Sequence, residues 1–116
     1  MQFQYSRWRH GGWYVENVRY PSGACGCVSR NYSDRKWRIA CDPRPFGMRP
    51  TFRSRDDAAQ AELELIADLE AYHAENPSAH TGPDGWREDW EAFDAWRAAR
   101  YKAEWLAIEA QRAAAP

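Results

Sequence analysis

The chain changes character at Arg55, and that change limits what it can fold into. Residues 1–55 hold 11 of the 16 basic side chains and 3 of the 17 acidic ones, whereas residues 56–116 hold 14 acidic side chains and all but two of the 19 alanines. A formal net charge of −1 therefore conceals a segment at +8 and a segment at −9. Such a break marks a passage from a β-rich basic half to a helical acidic half within one small domain. Leu, Ile and Val number only ten in 116 residues, but seven Trp, six Tyr and four Phe offer 17 large rings. Each ring can bury on the order of 150 Å² or more, so the expected core is aromatic.

Turn chemistry divides residues 1–54 into short antiparallel strands. Phe3, Tyr5 and Arg7 alternate with Gln4 and Ser6 before His10-Gly11-Gly12, and a second strand covers Trp13 to Tyr20. Strict alternation places Trp13, Val15 and Asn17 on one face of it and Tyr14, Glu16 and Val18 on the other. Pro21-Ser22-Gly23 ends that strand; a third covers Ala24 to Arg30 and a fourth Lys36 to Cys41, with Trp37, Ile39 and Cys41 opposite Lys36 and Arg38. Pro43, Pro45 and Pro50 exclude a regular central strand from residues 42–50, and Thr51-Phe52-Arg53 reads as a short edge strand.

Ser54 is a suitable N-cap, with Asp56 and Asp57 in the first turn, for a helix over residues 55–75 that Asn76-Pro77 ends. Ala58, Leu65, Ile66, Leu69 and Tyr72 form its apolar stripe, and Asp57, Glu64, Asp68 and Glu75 a carboxylate stripe. Residues 76–85 read as a linker. A second helix over residues 86–112 carries Trp86, Trp90, Phe93, Tyr101, Trp105 and Ile108 on one stripe, with Trp96 at its margin. A surface helix needs fewer large apolar groups. This one packs on the rest of the domain or docks on a partner, and packing is the simpler expectation.

No motif for catalysis stands out. His10, His73 and His80 lack recognisable partners, no phosphate-binding glycine loop occurs, and no cofactor is implied. Cys25, Cys27 and Cys41 become neighbours if the third and fourth strands pair, but the C-x-C spacing suits small core residues better than a zinc site. An odd thiol count, no apolar run near ~18 residues and an N-terminus without a signal-peptide pattern lead us to expect a soluble, cytoplasmic, non-enzymatic protein.

Two surfaces are candidates for binding. In the basic half, Arg19, Arg30, Lys36, Arg38 and Trp37 offer guanidinium and ammonium groups to phosphates and a ring to bases. Arg7, Arg9, Arg35, Arg53 and Arg55 extend that set, interleaved with Tyr5, Trp8, Tyr20 and Tyr32. Arginine outnumbers lysine 14 to two, which favours planar partners such as phosphate or carboxylate. In the acidic helix, Glu88, Asp89, Glu91 and Asp94, followed by Trp96, Arg97 and Arg100, offer a carboxylate field and residue types that dominate protein interfaces.

Trp13-Tyr14-Val15, Gly23, Val28-Ser29-Arg30, Trp37-Arg38-Ile39 and Thr51 to Ala59 together give residues 13–66 an outline that resembles phage integrase arm-binding and AP2-like modules. That resemblance implies a three-stranded sheet with one helix and a DNA-reading sheet face bearing Arg19, Arg30 and Arg38. The whole chain, short, divided in charge and rich in aromatics, looks like the accessory proteins of phages and mobile elements, including anti-CRISPR inhibitors. That likeness implies stoichiometric binding to a host complex such as a nuclease or CRISPR effector. The expectation is an α+β fold, a four-stranded antiparallel sheet followed by two helices. It would bind and occlude host nucleic-acid-processing machinery through the acidic helix, with direct nucleic-acid binding by the sheet as the alternative.

Overall fold

The computed structural model describes residues 2–76 and 90–115. Strands β1 (Tyr5–Trp8), β2 (Gly12–Arg19), β3 (Cys25–Ser29) and β4 (Arg38–Ile39) form one antiparallel sheet in chain order. A 3-10 turn (Phe46–Met48) follows, then helices α1 (Arg55–Glu75) and α2 (Trp90–Ala114). The α+β fold expected from the break at Arg55 is the fold observed. The Trp86 start expected for the second helix, with Glu88 and Asp89, lies outside the described residues.

Local chemistry accounts for the element ends. Gly23, at φ +93°, closes the β2–β3 turn by donating its N–H to the Tyr20 carbonyl at 2.8 Å. Ser54 caps α1, its Oγ accepting the Asp57 N–H at 3.0 Å, and Asn76 closes the helix through two bonds to the Tyr72 carbonyl. The expected edge strand at Thr51-Phe52-Arg53 is reduced to one bridge between Trp37 and Phe52.

Strict alternation fails in β2. Val15 pairs with Gly26, but Arg19 pairs with Cys25, so β2 takes up three extra residues there. The irregularity returns Val18 to the core face beside Val15, whereas uninterrupted alternation puts it on the opposite face. The core joins Val15, Val18, Val28 and Ile39 of the sheet to Ala58, Leu65, Leu69 and Tyr72 of α1, and Phe93 of α2 closes one end. Every residue of the apolar stripe expected for α1 is in it.

The stripe also contains an ionisable residue. Glu62 is 0% exposed, and its carboxyl lies against β3, accepting the Cys27 N–H at Oε1 (2.8 Å) and the Tyr20 hydroxyl at Oε2 (2.6 Å). Burial pushes its pKa from 4.5 up to about 8, and the two hydrogen bonds oppose that rise only in part. Gly26 makes room for it: a Cβ there would clash with Glu62 Oε1 and lie 3.2 Å from Val18 Cγ1. Gly26→Ala is therefore expected to destabilise the fold by roughly 2–3 kcal/mol, through overpacking and displacement of a buried polar group. A urea midpoint equal to that of the parent protein would show that the carboxyl moves aside at no cost.

The proline-rich loop packs against both α2 and β4. Buried Asp42 holds the Arg44 guanidinium through Nη2 at 2.7 Å, and Arg44 reaches Asp94 of α2 at 3.7 Å. Beneath the loop, Arg38 lies against the rings of Tyr32 (5.0 Å) and Phe46 (4.3 Å). The sequence expectation for the second helix is corrected along its length. Phe93 is buried and Trp90 and Trp96 are half-buried, but every residue from Ala98 to Ala115 is exposed, including Tyr101, Trp105 and Ile108.

Candidate nucleic-acid interface

The β1–β2 turn, the exit of β3 and the start of α1 meet at one end of the sheet. Register builds the site there: Arg7 of β1 stands opposite Trp13 of β2, which stands opposite Val28 of β3. Arg7 Cζ lies 5.0 Å from the Trp13 ring centroid, and Arg55 Cζ, from the first residue of α1, lies 4.7 Å from the same ring and 3.8 Å from that of Tyr5. Trp13 thus carries two guanidinium groups. Across the same end, Arg30 Cζ lies 5.6 Å from the Trp37 ring.

Arg7, Trp13, Arg30, Trp37 and Arg55 line an open groove of about 330 Å³ that also takes in Gly11 and Gly12. Asn31 ties the end of β3 to the β1–β2 turn by donating Nδ2–H to the His10 carbonyl at 3.2 Å. Arg35 enters the groove from a turn in which its backbone is left-handed, at φ +58°, a conformation that Arg adopts rarely. A second concavity shares Arg30, Arg35 and Trp37 and adds Lys36 and Arg53, so the basic lining continues around the sheet edge. A guanidinium held over a ring by its face keeps in-plane N–H groups available to donate.

The charge balance around the groove is one-sided. Among the described residues, Arg7, Arg30, Arg35, Lys36, Arg53 and Arg55 form no ion pair, whereas the carboxylates of the helices are largely engaged elsewhere. Asp56 does come near, accepting the Tyr5 hydroxyl at 2.5 Å. Burial, then that carboxylate, raises the Tyr5 pKa, so the phenol stays neutral.

No protein-family model matches this chain, and comparison with curated proteins and with solved structures returned no match. Its chemistry has to be read from its own residues. Of the sheet residues expected to meet nucleic acid, Arg30, Lys36 and Trp37 lie at the groove and its continuation. Arg38 does not. It is 5% exposed, and Asp34 accepts from its Nη1 at 2.8 Å and Nη2 at 2.6 Å, because the proline-rich loop covers that face of β4. Those bonds hold the Asp34 carboxyl well below the usual carboxylate range. Arg19 is also elsewhere, at the far end of β2, where the four-residue step from Ser29 to Cys25 on β3 sets it roughly 13 Å along the sheet from Gly12. It braces the turn by donating to the Glu16 and Gly23 carbonyls.

The acidic-helix set is divided as well. Glu91 and Arg100 are exposed. Trp96 donates Nε1–H to Glu75 at 2.5 Å and packs on Tyr72, while Arg97 Nε and the Tyr101 hydroxyl both reach Asp68 Oδ2, at 2.7 and 2.6 Å. Asp94 meets Arg44. The Trp96, Arg97 and Tyr101 contacts hold α2 on α1 and Asp94 ties it to the proline-rich loop, so these side chains are occupied within the molecule.

The three cysteines are free. Cys27 and Cys41 hydrogen-bond to each other across β3 and the residue pair after β4, which together with burial pushes the Cys27 thiol up. Among the described residues no group of three or more His, Cys, Asp or Glu is placed to hold a metal ion, and no helix is long and apolar enough to cross a membrane.

Sequence reasoning passed over Trp13 as a site residue and Arg44 as a structural one. A signal for Trp13 existed, because Arg7 and Trp13 flank the His10-Gly11-Gly12 turn and a hairpin closed there pairs them.

Proposed function

We propose that this protein binds nucleic acid through the arginine–tryptophan groove, gripping the phosphate backbone with little preference for sequence. One observation carries the reading: six basic side chains without ion pairs among the described residues converge at one end of the sheet, three of them already seated on aromatic rings. Seating reduces the side-chain entropy lost on contact, and an aligned guanidinium offers two N–H groups to one phosphate. Because the rings already carry arginines, base stacking is secondary, which favours the duplex backbone over exposed single-strand bases. The activity is stoichiometric binding, and three reduced thiols suit the cytoplasm.

A salt titration tests this. With four to six phosphate contacts, log K against log salt for generic duplex DNA is expected to fall with a slope between about −3.5 and −5.5. Absence of binding to both duplex and single strand at low salt would sink the proposal.

The occluding-inhibitor reading remains a second proposal, supported by the exposed Glu91 and Arg100 on α2. Co-purification of a nuclease or surveillance complex with a protein that ignores DNA, and loss of that complex on reversal of Glu88, Asp89, Glu91 and Asp94, would favour it.

A further inference from the structure

Beyond Tyr101, whose hydroxyl is bonded to Asp68 of α1 and whose ring lies 5.5 Å from Arg97, the distal half of α2 leaves its apolar groups uncovered. Tyr101 is 46% exposed, Trp105 57% and Ile108 45%. Ala98, Tyr101, Trp105, Ile108 and Arg112 recur at alternating spacings of three and four, the 3.5-residue seam by which two helices pack along their length. Leu106, 56% exposed, lies off this seam, one turn beyond Lys102. None of these residues lines the basic groove.

The charges beside the seam select its occupant. Lys102 and Glu109 follow Tyr101 and Ile108 along one edge, and Glu104 and Gln111 precede Trp105 and Arg112 along the other. A second copy running parallel would set Glu104 of one chain against Glu109 of the other, twice by symmetry, and like charges there repel. A second copy running antiparallel sets like edges together. Lys102 then meets Glu109 of the second copy, again twice, and Glu104 meets the neutral Gln111. The same register stacks Trp105 on Ile108 and sets Arg112 beside the Tyr101 ring of the other chain, which Arg97 of that chain also approaches. Lys102 forms no ion pair among the described residues, and Glu109 has only the exposed contact with Arg112 at 3.9 Å, which costs little to exchange.

We propose that the exposed half of α2 is a self-association surface, on which α2 of a second copy of this chain packs antiparallel along the Tyr101, Trp105 and Ile108 seam. A seam this short gives a concentration-dependent dimer in the micromolar range rather than an obligate one.

Sedimentation velocity of the full chain, from micromolar to hundreds of micromolar, is the test. The parent protein is expected to pass from monomer to dimer, and Trp105→Glu to remain monomeric with unchanged far-ultraviolet circular dichroism, since the side chain is exposed. Lys102→Glu should weaken the dimer about tenfold, because two attractive pairs become repulsive, and Lys102→Glu combined with Glu109→Lys should restore it. Glu109→Lys alone should weaken an antiparallel dimer and strengthen a parallel one. A parent chain that stays monomeric throughout, a dimer strengthened by Glu109→Lys, or a dimer indifferent to Lys102→Glu would each overturn the proposal.

Discussion

Replacing Glu62 with glutamine is expected to make the fold less sensitive to pH between about 4.5 and 8. In the folded protein the Glu62 carboxyl is pushed up to about 8, against 4.5 for an ordinary glutamate. A carboxyl whose pKa is higher folded than unfolded binds a proton more tightly in the native state. Its contribution is fully present below about 4.5 and is lost as pH rises through about 8. The loss is on the order of 5 kcal/mol, a large part of the stability of a small domain. A glutamine side chain cannot titrate there, although its amide must donate where the Tyr20 hydroxyl now donates, which costs about 1 kcal/mol. The Glu62→Gln variant should thus be slightly less stable than the parent at pH 5 and clearly more stable at pH 9. Urea unfolding of both proteins across that range gives a difference curve in which the histidines cancel. A flat difference would mean that Glu62 is not held neutral in the core.

Removing three groove arginines together, Arg7→Ala, Arg30→Ala and Arg35→Ala, should nearly abolish binding to duplex DNA at moderate salt. Each lost phosphate contact lowers the salt slope by about 0.9, equivalent to roughly eightfold in affinity at 0.1 M salt relative to 1 M. Three contacts give a loss of two to three orders of magnitude at 0.1 M salt, fading toward 1 M. Arg38→Ala is the informative contrast. Its guanidinium is held by Asp34 under the proline-rich loop, so this change should lower stability and leave the salt slope alone. A triple variant with the parent slope would place the contacts elsewhere on the protein. Arg55 is left out of the triple because it also lies on Tyr5 and Trp13 at the start of α1, where its loss would disturb packing.

Most of the fold was legible because it depends on neighbours in the chain. The Ser54 cap, the Pro21-Ser22-Gly23 turn and the stripe from Ala58 to Tyr72 are local signals, and each is found where the sequence puts it. The site was legible only in outline. Arg30 and Arg38 look equivalent in the sequence, yet one is seated on Trp37 at the groove and the other is sealed beneath Phe46. Glu62 left a readable sign, a carboxylate in the middle of an apolar helical stripe, but its meaning depends on Tyr20 and Cys27, 42 and 35 residues away.

The division of charge at Arg55 shows the same limit. By itself the sequence determined that a basic sheet precedes acidic helices, because strand and helix formation follow residue type, periodicity and caps over a few residues. Only the tertiary structure decided what became of the charges. The two halves do not neutralise each other as wholes. Asp34 and Asp42 take Arg38 and Arg44, Asp68 takes Arg97, and a single long contact, Arg44 to Asp94, joins the loop of the basic half to α2 among the described residues. The arginines left over lie at one end of the sheet because Coulomb pairing acts over a few ångströms, and only the packed chain determines which carboxylates come that near.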